Sequence, residues 1–381
     1  MKRIYWLIPL AVVAMLVGAF GGNAQRLSTT GASASKLVID NVSGSTWTCQ
    51  FNPFNPALLG PGITFSLIYE PLEFVNILQS GKPATPLLAT SSQWSNGFKT
   101  LTFTIRKGVN WSDGKPFSAA DVAYTFNAMR SDKTIDLNAL WAADGGPLTG
   151  VAVKGTNRVV FTFKAPSQPL FYFVADQTPI VPEHIWSSLD QKDLHSYADS
   201  SPVGTGPFAV SNCSPQNIKY LRNTHYWEST SAHPVPAIEE VDYPAFLSNT
   251  PGNLFLSQGQ AQWGGQYIPN IQSFYIGKDP AHRHYWFPPI LNVSLVPNLT
   301  DPLLSKLPVR QAIVYAINKA TVSRLGESGY QQPANQTGVI TPTFQSWLNR
   351  SVVQPAFKFS GGQRSGCTAT VCASTKVAAP L

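Results

Sequence analysis

Residues 101–126 read LTFTIRKGVNWSDGKPFSAADVAYTF, and no other stretch of the chain carries as much structural information. Leu101, Phe103 and Ile105 alternate with polar residues, which is the period of a half-buried β-strand. A segment dense in turn residues follows at 111–116. Ser118 then precedes Asp121 by three residues, the spacing of a helix capping box. The sequence therefore predicts a strand, a tight loop and a capped helix in one short block.

The composition suits a globular chain with a large apolar core. The chain has 381 residues, enough for two or three domains at roughly 100–200 residues each. Its hydrophobic fraction is 43%, whereas charged residues make up only 12%. The net charge of +7 comes from Lys and Arg residues that are scattered along the sequence. Nucleic-acid-binding surfaces normally cluster their basic residues, so we expect a mildly basic surface and no nucleic-acid partner.

The N-terminus has the three parts of a secretory signal peptide. Two basic residues precede an apolar run over residues 4–20, and a small-residue exit ends at Ala24. This pattern predicts a signal peptide over residues 1–24 and a polar linker over residues 25–36. An uncleaved membrane anchor is the alternative, because the apolar run approaches the length that spans a bilayer.

The block at 101–126 resembles the signature of the extracellular solute-binding proteins of family 5, the oligopeptide, dipeptide and nickel class that serves ATP-driven importers. Five further segments resemble motifs of that family and follow in the same chain order. They are Y-E-P-L at 69–72, V-P-E-H-I at 181–185, V-G-T-G-P-F at 203–208, N-x-x-Y-W at 223–227 and a helix at 308–319. The resemblance covers residues 37–349. Residues 351–381 depart from it, and we interpret them as the disordered or aberrant tail of a truncated chain.

The resemblance implies an α/β fold with mixed sheets, of the bilobal type II periplasmic-binding-protein kind, with an incomplete C-terminal portion. It divides the chain into lobe I (residues 37–65 and 196–285), domain II (66–195) and the start of a second lobe (286–350). It also implies that residues 203–208 cross between lobes, where two glycines and a proline permit unusual backbone torsions. Cys49 and Cys213 then fall in one lobe, which makes a disulfide between them plausible.

The sequence offers few candidates for catalysis or metal binding. It has no Gly-x-Ser-x-Gly elbow. Its two histidine pairs lack the helical spacing and flanking Glu of a zinc hydrolase: His184 with His195, and His282 with His284. Cys367 and Cys372 have no second ligand pair nearby, which argues against a zinc site. We therefore expect no catalytic residue, no metal and no cofactor.

Aromatic residues are the candidates for ligand contact. Flat aromatic faces suit sugar rings and apolar peptide side chains. Trp47, Trp263 and Tyr267 stand at predicted strand-to-loop edges, and we predict that these three contact the ligand. Gln262 occupies a position that is acidic in the family, and sugar-binding relatives often place a Trp beside it, as Trp263 is here.

The resemblance implies a function as well as a fold. It implies an exported receptor, periplasmic or at the cell surface, that captures oligopeptides between closing lobes. The receptor would deliver them to the permease subunits of an ABC importer. Cello-oligosaccharides are the alternative ligand, favoured by the segment Y-E-P-L-E-F-V-N at 69–76 and by Trp263. A secreted hydrolase is the remaining alternative.

Overall fold

The computed structural model describes residues 35–40, 44, 46–55, 66–79, 81–141, 145–229, 235–265, 268–285, 295–326 and 328–330. The predicted signal peptide, most of the predicted linker, Tyr267 and the predicted tail lie outside these ranges. Each helix that lies within them is too short or too polar to cross a membrane.

The described residues form eleven strands and seven α-helices. The strands are β1 (Lys36–Asp40), β2 (Glu73–Phe74), β3 (Thr85–Pro86), β4 (Ala89–Ser95), β5 (Thr100–Ile105), β6 (Leu148–Lys154), β7 (Arg158–Phe163), β8 (Phe208–Ser214), β9 (Asn217–Arg222), β10 (Glu240–Pro244) and β11 (Trp263–Gly264). The helices are α1 (Ala119–Ser131), α2 (Phe171–Ala175), α3 (Glu183–Trp186), α4 (Asn249–Ser257), α5 (Ile271–Phe274), α6 (Leu307–Ala316) and α7 (Lys319–Gly326). The strands pair into three sheets, in the orders β11-β1-β10-β9-β8, β4-β5-β7-β6 and β2-β3.

The four-stranded sheet forms because β5 buries one side chain in every two. Leu101, Phe103 and Ile105 are buried, and the strand pairs antiparallel with both β4 and β7. Phe103 packs edge-on against Phe161 of β7, with ring centroids 5.6 Å apart. The alternation in the sequence correctly predicted this strand and its buried face.

The predicted capping box is confirmed, and its carboxylate serves a second helix. Ser118 Oγ accepts from the backbone N–H of Ala120 at 3.1 Å, and the Ser118 N–H donates to Asp121 Oδ2 at 2.8 Å. The other oxygen, Asp121 Oδ1, accepts from the backbone N–H of Glu183, the first residue of α3, at 3.0 Å. A buried carboxylate at the N-termini of two helices accepts hydrogen bonds from free N–H groups of both. Its negative charge also interacts favourably with the positive ends of the two helix dipoles.

The five-stranded sheet combines parallel and antiparallel strands. β1 lies between β10 and β11 and runs parallel to both, whereas β9 is antiparallel to β10 and to β8. Gln262 secures the edge next to β11, because its side-chain Oε1 accepts from Val38 N–H at 2.8 Å and its own N–H donates to Val38 O at 3.0 Å. An amide oxygen at this position supplies the hydrogen-bond acceptor that β1 needs.

The segment at 203–208 crosses very close to residues 67 and 68. A Cβ at Gly204 would lie 1.9 Å from Ile68 O, and one at Gly206 would lie 2.4 Å from Leu67 O. Neither glycine has a φ in the left-handed region, so unusual torsions are not the reason for them, contrary to our expectation. Glycine is needed at both positions because the two backbones approach so closely. The close approach also allows the Gly206 N–H to donate to Ile68 O at 2.8 Å.

Two buried carboxyl groups, those of Glu70 and Asp199, lie close to this crossing. Glu70 Oε1 accepts from the Tyr226 hydroxyl at 2.8 Å, and Oε2 accepts from Trp227 Nε1 at 3.0 Å. Asp199 Oδ2 accepts from the hydroxyl of Tyr69. We refer to residues 67–72, Asp199, 204–206 and 226–227 together as the junction.

The junction joins the two larger sheets. Phe208 N–H, at the start of β8, donates to Leu67 O at 3.0 Å, and Ala89 N–H, at the start of β4, donates to Leu72 O at 2.9 Å. The division into lobe I and domain II stays a prediction.

The two cysteines that we paired form a disulfide. Cys49, in the loop that follows β1, is bonded to Cys213 of β8, and 164 positions separate them in the sequence. The disulfide therefore closes a loop that contains the whole four-stranded sheet.

The predicted helix over 308–319 is two helices. α6 ends at Ala316, since Ile317 has an extended ψ of 115°, and α7 begins at Lys319. Asn318 caps the second helix, because its Oδ1 accepts from Thr321 N–H at 3.0 Å. A single residue that prefers a cap position therefore ends one helix and starts another.

Replacement of Gly204 by Ala tests the close crossing. We expect Gly204→Ala to lower the free energy of unfolding by about 3 kcal/mol, because a methyl group would overlap a main-chain carbonyl. Urea denaturation measures it. Gly150→Ala is the matched control, since a Cβ there meets only Thr162 Cβ at 3.9 Å. Equal stability of the two variants would contradict the account.

Removal of the disulfide tests its contribution to stability. The double variant Cys49→Ser, Cys213→Ser should lose about 4 kcal/mol of unfolding free energy, because a long loop is freed in the unfolded chain. Both cysteines are only half-buried, so little packing is lost. The unfolding free energy of the wild-type protein in dithiothreitol should equal that of the double variant. If the reductant did not change the stability of the wild type, that result would argue against the disulfide.

Candidate ligand-binding site

The parallel strands of the five-stranded sheet bring their carboxyl ends to one edge. β1 ends at Asp40, β10 at Pro244 and β11 at Gly264, and all three run in the same direction. Ligands of open α/β sheets bind outside the carboxyl ends of the strands, where loops and helix starts converge. This carboxyl edge is therefore the candidate ligand-binding site.

A cavity of about 570 Å³ is built from the segments that follow β10 and β11. Five of its nine lining residues have amide or hydroxyl side chains, and three are apolar: the lining is Asn249, Thr250, Asn253, Ile268, Pro269, Asn270, Ser273, Phe274 and Lys278. The volume falls within the range of small-molecule sites. The cavity therefore provides several neutral hydrogen-bonding groups beside an aromatic ring.

Charge is scarce around this cavity. Lys278 is the one ionisable residue among its described lining residues, and its Nζ already donates to Ser257 Oγ at 3.1 Å. The same ammonium group lies 5.1 Å from the centroid of the Phe274 ring, a cation–π distance. A ligand bound in this cavity would therefore contact mainly neutral amide and hydroxyl groups rather than charged groups.

The structure places the three predicted ligand-contact residues differently. Trp263 lies in the edge strand β11, paired with Ile39, and is 64% exposed, so its face is free to meet a solute. Trp47 is only 7% exposed, and its Nε1 donates to Tyr243 O at 2.8 Å, which makes it a core residue beside the end of β10. Such burial does not favour the contact predicted for Trp47. Tyr267 lies outside the described residues.

Trp263 and Trp47 nevertheless belong to the same end of the same sheet. Tyr243, to which Trp47 is hydrogen-bonded, is the penultimate residue of β10, and Trp263 begins the strand on the other side of β1. Neither tryptophan lines the cavity at the carboxyl edge. The ligand contacts of Trp47, Trp263 and Tyr267 stay predictions.

Sequence reasoning missed the cavity residues. Asn249 and Asn253 follow β10, a strand that we did not predict, and Asn270 follows β11. The available signal was the polar residue type alone. It was not decisive, because only the parallel alignment of β10 and β11 brings the two segments together.

Opposite charges neutralise each other on the polar face of the same sheet. Lys36 forms ion pairs with Asp242 and, at 3.1 Å, with Glu240, which also pairs with Lys219 at 3.0 Å. Hydrogen bonds from Lys219 and Lys36 lower the pKa of Glu240. The hydrogen bond with Asp242 raises the pKa of Lys36. Glu240 and Lys36 therefore both stay charged at neutral pH and stabilise each other.

Two of the candidate histidines lie next to acidic side chains. His184 Nε2 lies 2.8 Å from Asp113 Oδ2, and His282 Nδ1 lies 3.0 Å from Asp279 Oδ1. Within the described ranges, no three His, Cys, Asp or Glu side chains gather in an arrangement that could hold a metal ion. Cys367 and Cys372 lie outside those ranges.

The chain belongs to the bacterial extracellular solute-binding proteins of family 5: the model of that family's middle region matches residues 84–355. This match confirms the family that the motifs indicated. The family is extracellular, in agreement with the predicted location outside the cytoplasmic membrane. Three of the four relatives described below are named as binding proteins.

Two curated relatives show how far the similarity extends. The nickel-binding periplasmic protein of Escherichia coli is 26% identical over 300 residues, which cover 76% of this chain and 54% of that protein. Protein XP55 of Streptomyces lividans is 34% identical over 205 residues, covering 54% of this chain and 35% of its own length. The chain thus spans about half, or less, of the length of these relatives.

Solved structures confirm the α/β fold of the type II periplasmic-binding-protein kind. A periplasmic oligopeptide-binding protein of Thermotoga maritima, with mannohexaose bound, matches with a TM-score of 0.73 and 25% identity, over 86% of this chain and 60% of that one. The oligopeptide-binding protein AppA of Bacillus subtilis, in complex with a nonapeptide, matches with a TM-score of 0.66 and 20% identity, over 86% of this chain and 62% of that one.

Alanine replacements of the two described tryptophans test their different positions. Trp47→Ala should lower the unfolding free energy by about 3–5 kcal/mol, because it opens a cavity in the core. Trp263→Ala should change it by less than about 0.5 kcal/mol, because the side chain is exposed. Thermal and urea denaturation of both variants measure the difference. A large loss of stability in Trp263→Ala would show that this residue packs rather than presents a free face.

Proposed function

We propose that the protein is the extracytoplasmic solute-binding receptor of an ABC importer, which captures oligopeptides and delivers them to membrane permease subunits. The single observation that supports this most strongly is the family match over residues 84–355. Relatives named for peptide binding support the ligand class: putative ABC transporter peptide-binding proteins of Brucella are 27% identical over 296 residues. The proposed role needs no catalytic residue and no cofactor, since the receptor only binds and releases its solute.

The carboxyl edge is the proposed capture surface. Trp263 offers an exposed aromatic face there, and the nearby cavity offers amide and hydroxyl groups. Apolar side chains of a peptide suit the first, and main-chain N–H and C=O groups suit the second. Trp263 belongs to β11, and the cavity is lined by the segments that follow β10 and β11, so one extended ligand could use both.

Oligosaccharides are the second candidate, and the lining of the cavity favours them. A peptide brings two charged termini, which are usually met by opposite charges, whereas a neutral sugar needs amides, hydroxyls and an aromatic face. The described lining contains no carboxylate and one lysine that is already hydrogen-bonded. The Thermotoga maritima relative, which is named an oligopeptide-binding protein, was solved with mannohexaose bound.

A thermal-shift panel on the purified chain tests the proposal. Peptides of two to nine residues, cello-oligosaccharides, mannohexaose and Ni²⁺ should be tested separately at millimolar concentration. A bound solute at a hundredfold its Kd should stabilise the folded chain by about 2.7 kcal/mol and raise its melting temperature. Peptides alone raising it would support the first candidate, and oligosaccharides alone the second.

Variants and a turnover assay complete this test. Trp263→Ala should abolish most of the shift, whereas Phe74→Ala, which removes an aromatic residue that is 49% exposed on a different sheet, should leave it intact. The solute should be recovered unchanged by mass spectrometry. Recovery of cleaved solute would favour the hydrolase alternative, and a melting temperature that no solute changes would contradict the receptor role.

A further inference from the structure

The junction between the two larger sheets contains two buried acids that have no basic partner within hydrogen-bonding distance among the described residues. Glu70 is 3% exposed and Asp199 is 2% exposed. The partners that contact them are neutral: Tyr226 and Trp227 for Glu70, and Tyr69 for Asp199. A buried carboxylate with only neutral donors is costly to ionise.

We propose that this junction is a pH-sensitive joint: protonated Glu70 and Asp199 hold residues 67–70 against the two sheets, and ionisation of these carboxyls weakens that hold.

The hydrogen bonds of Glu70 fit both protonation states. In the acid form, Oε1 can carry the proton and donate it to the Tyr226 hydroxyl oxygen, while Oε2 still accepts from Trp227 Nε1. In the ionised form, both oxygens accept. The geometry therefore survives the change of charge, and the difference between the two states is mainly the penalty for a buried charge.

The groups facing each carboxyl set the pH range. Burial raises the pKa of Glu70 to about 7, whereas hydrogen bonds from Trp227, Tyr226 and Thr205 favour ionisation and the Glu228 charge opposes it. Burial also raises the pKa of Asp199 to about 6, against hydrogen bonds from Tyr69 and Tyr197. The Arg106 guanidinium lies 4.2 Å from the Trp227 ring centroid and faces the ring.

The direction of the effect follows from proton linkage. Both acids bind a proton more tightly in the folded chain than in the unfolded chain, where ordinary values are 4.5 for Glu and 3.8 for Asp. Their contribution to stability is therefore complete below about pH 4 and is lost as the pH rises through 6 and 7. The location matters because residues 67–72 hydrogen-bond to the starts of β8 and β4, one in each sheet.

Urea unfolding between pH 5 and 8 tests the joint. The unfolding constant of the wild type should rise about tenfold or more between pH 5.5 and 7.5. Glu70→Gln and Asp199→Asn should each remove part of that rise, and the double variant most of it. Glu240→Gln is the matched control, because Lys219 and Lys36 lower the pKa of Glu240 and it titrates below this range. A wild-type rise retained in the double variant would overturn the proposal.

Hydrogen exchange of the wild type gives a readout that needs no variant. After correction for the intrinsic pH dependence, amides of residues 66–75 should exchange at least several-fold faster at pH 7.5 than at pH 5.5, relative to the amides of β5. An unchanged ratio would overturn the proposal. Neither measurement uses a solute, so a failure here is distinct from a failure of the receptor role.

Discussion

The rest of the structure depends on the contact of two backbones without side chains between them. Gly204 and Gly206 lie against the carbonyl groups of Ile68 and Leu67, at distances that leave no room for a Cβ. This contact positions Phe208 to begin β8, and it fixes residues 67–72, which also hydrogen-bond to β4. Ser112, from the signature block, adds a further tie, since its N–H donates to Gly204 O at 2.9 Å. Motifs that are far apart in the sequence therefore meet at one crossing.

The candidate site depends on a second constraint, the parallel alignment of β1, β10 and β11. Strand direction alone decides that Asp40, Pro244 and Gly264 end at the same edge, and the amide-rich cavity follows from what comes after two of those strands. The exposed face of Trp263 is on the strand at the edge of this sheet. A binding surface made of loops after strands can vary in chemistry while the sheet beneath it stays the same.

Local sequence signals predicted local structure well. The strand at 100–105 and the capping box at Ser118 were predictable because each depends on residues within a few positions of one another. Our explanation of Gly204 by unusual backbone torsions was wrong, because the residue that it contacts, Ile68, is remote in the sequence. The helix at 308–319 was predicted as one element, since the capping role of Asn318 competes with a continuous helical pattern. Trp47 was chosen as an edge residue, but its indole N–H reaches Tyr243, a partner that only the folded sheet reveals.

We propose that the solute binds at the carboxyl edge of the five-stranded sheet. The most direct test is a crystal structure of the chain grown with the solute that raises its melting temperature most. We expect ligand density against the Trp263 ring, extending to the amides of Asn249 and Asn270. Density for the solute at any other surface, with only solvent along this edge, would contradict it.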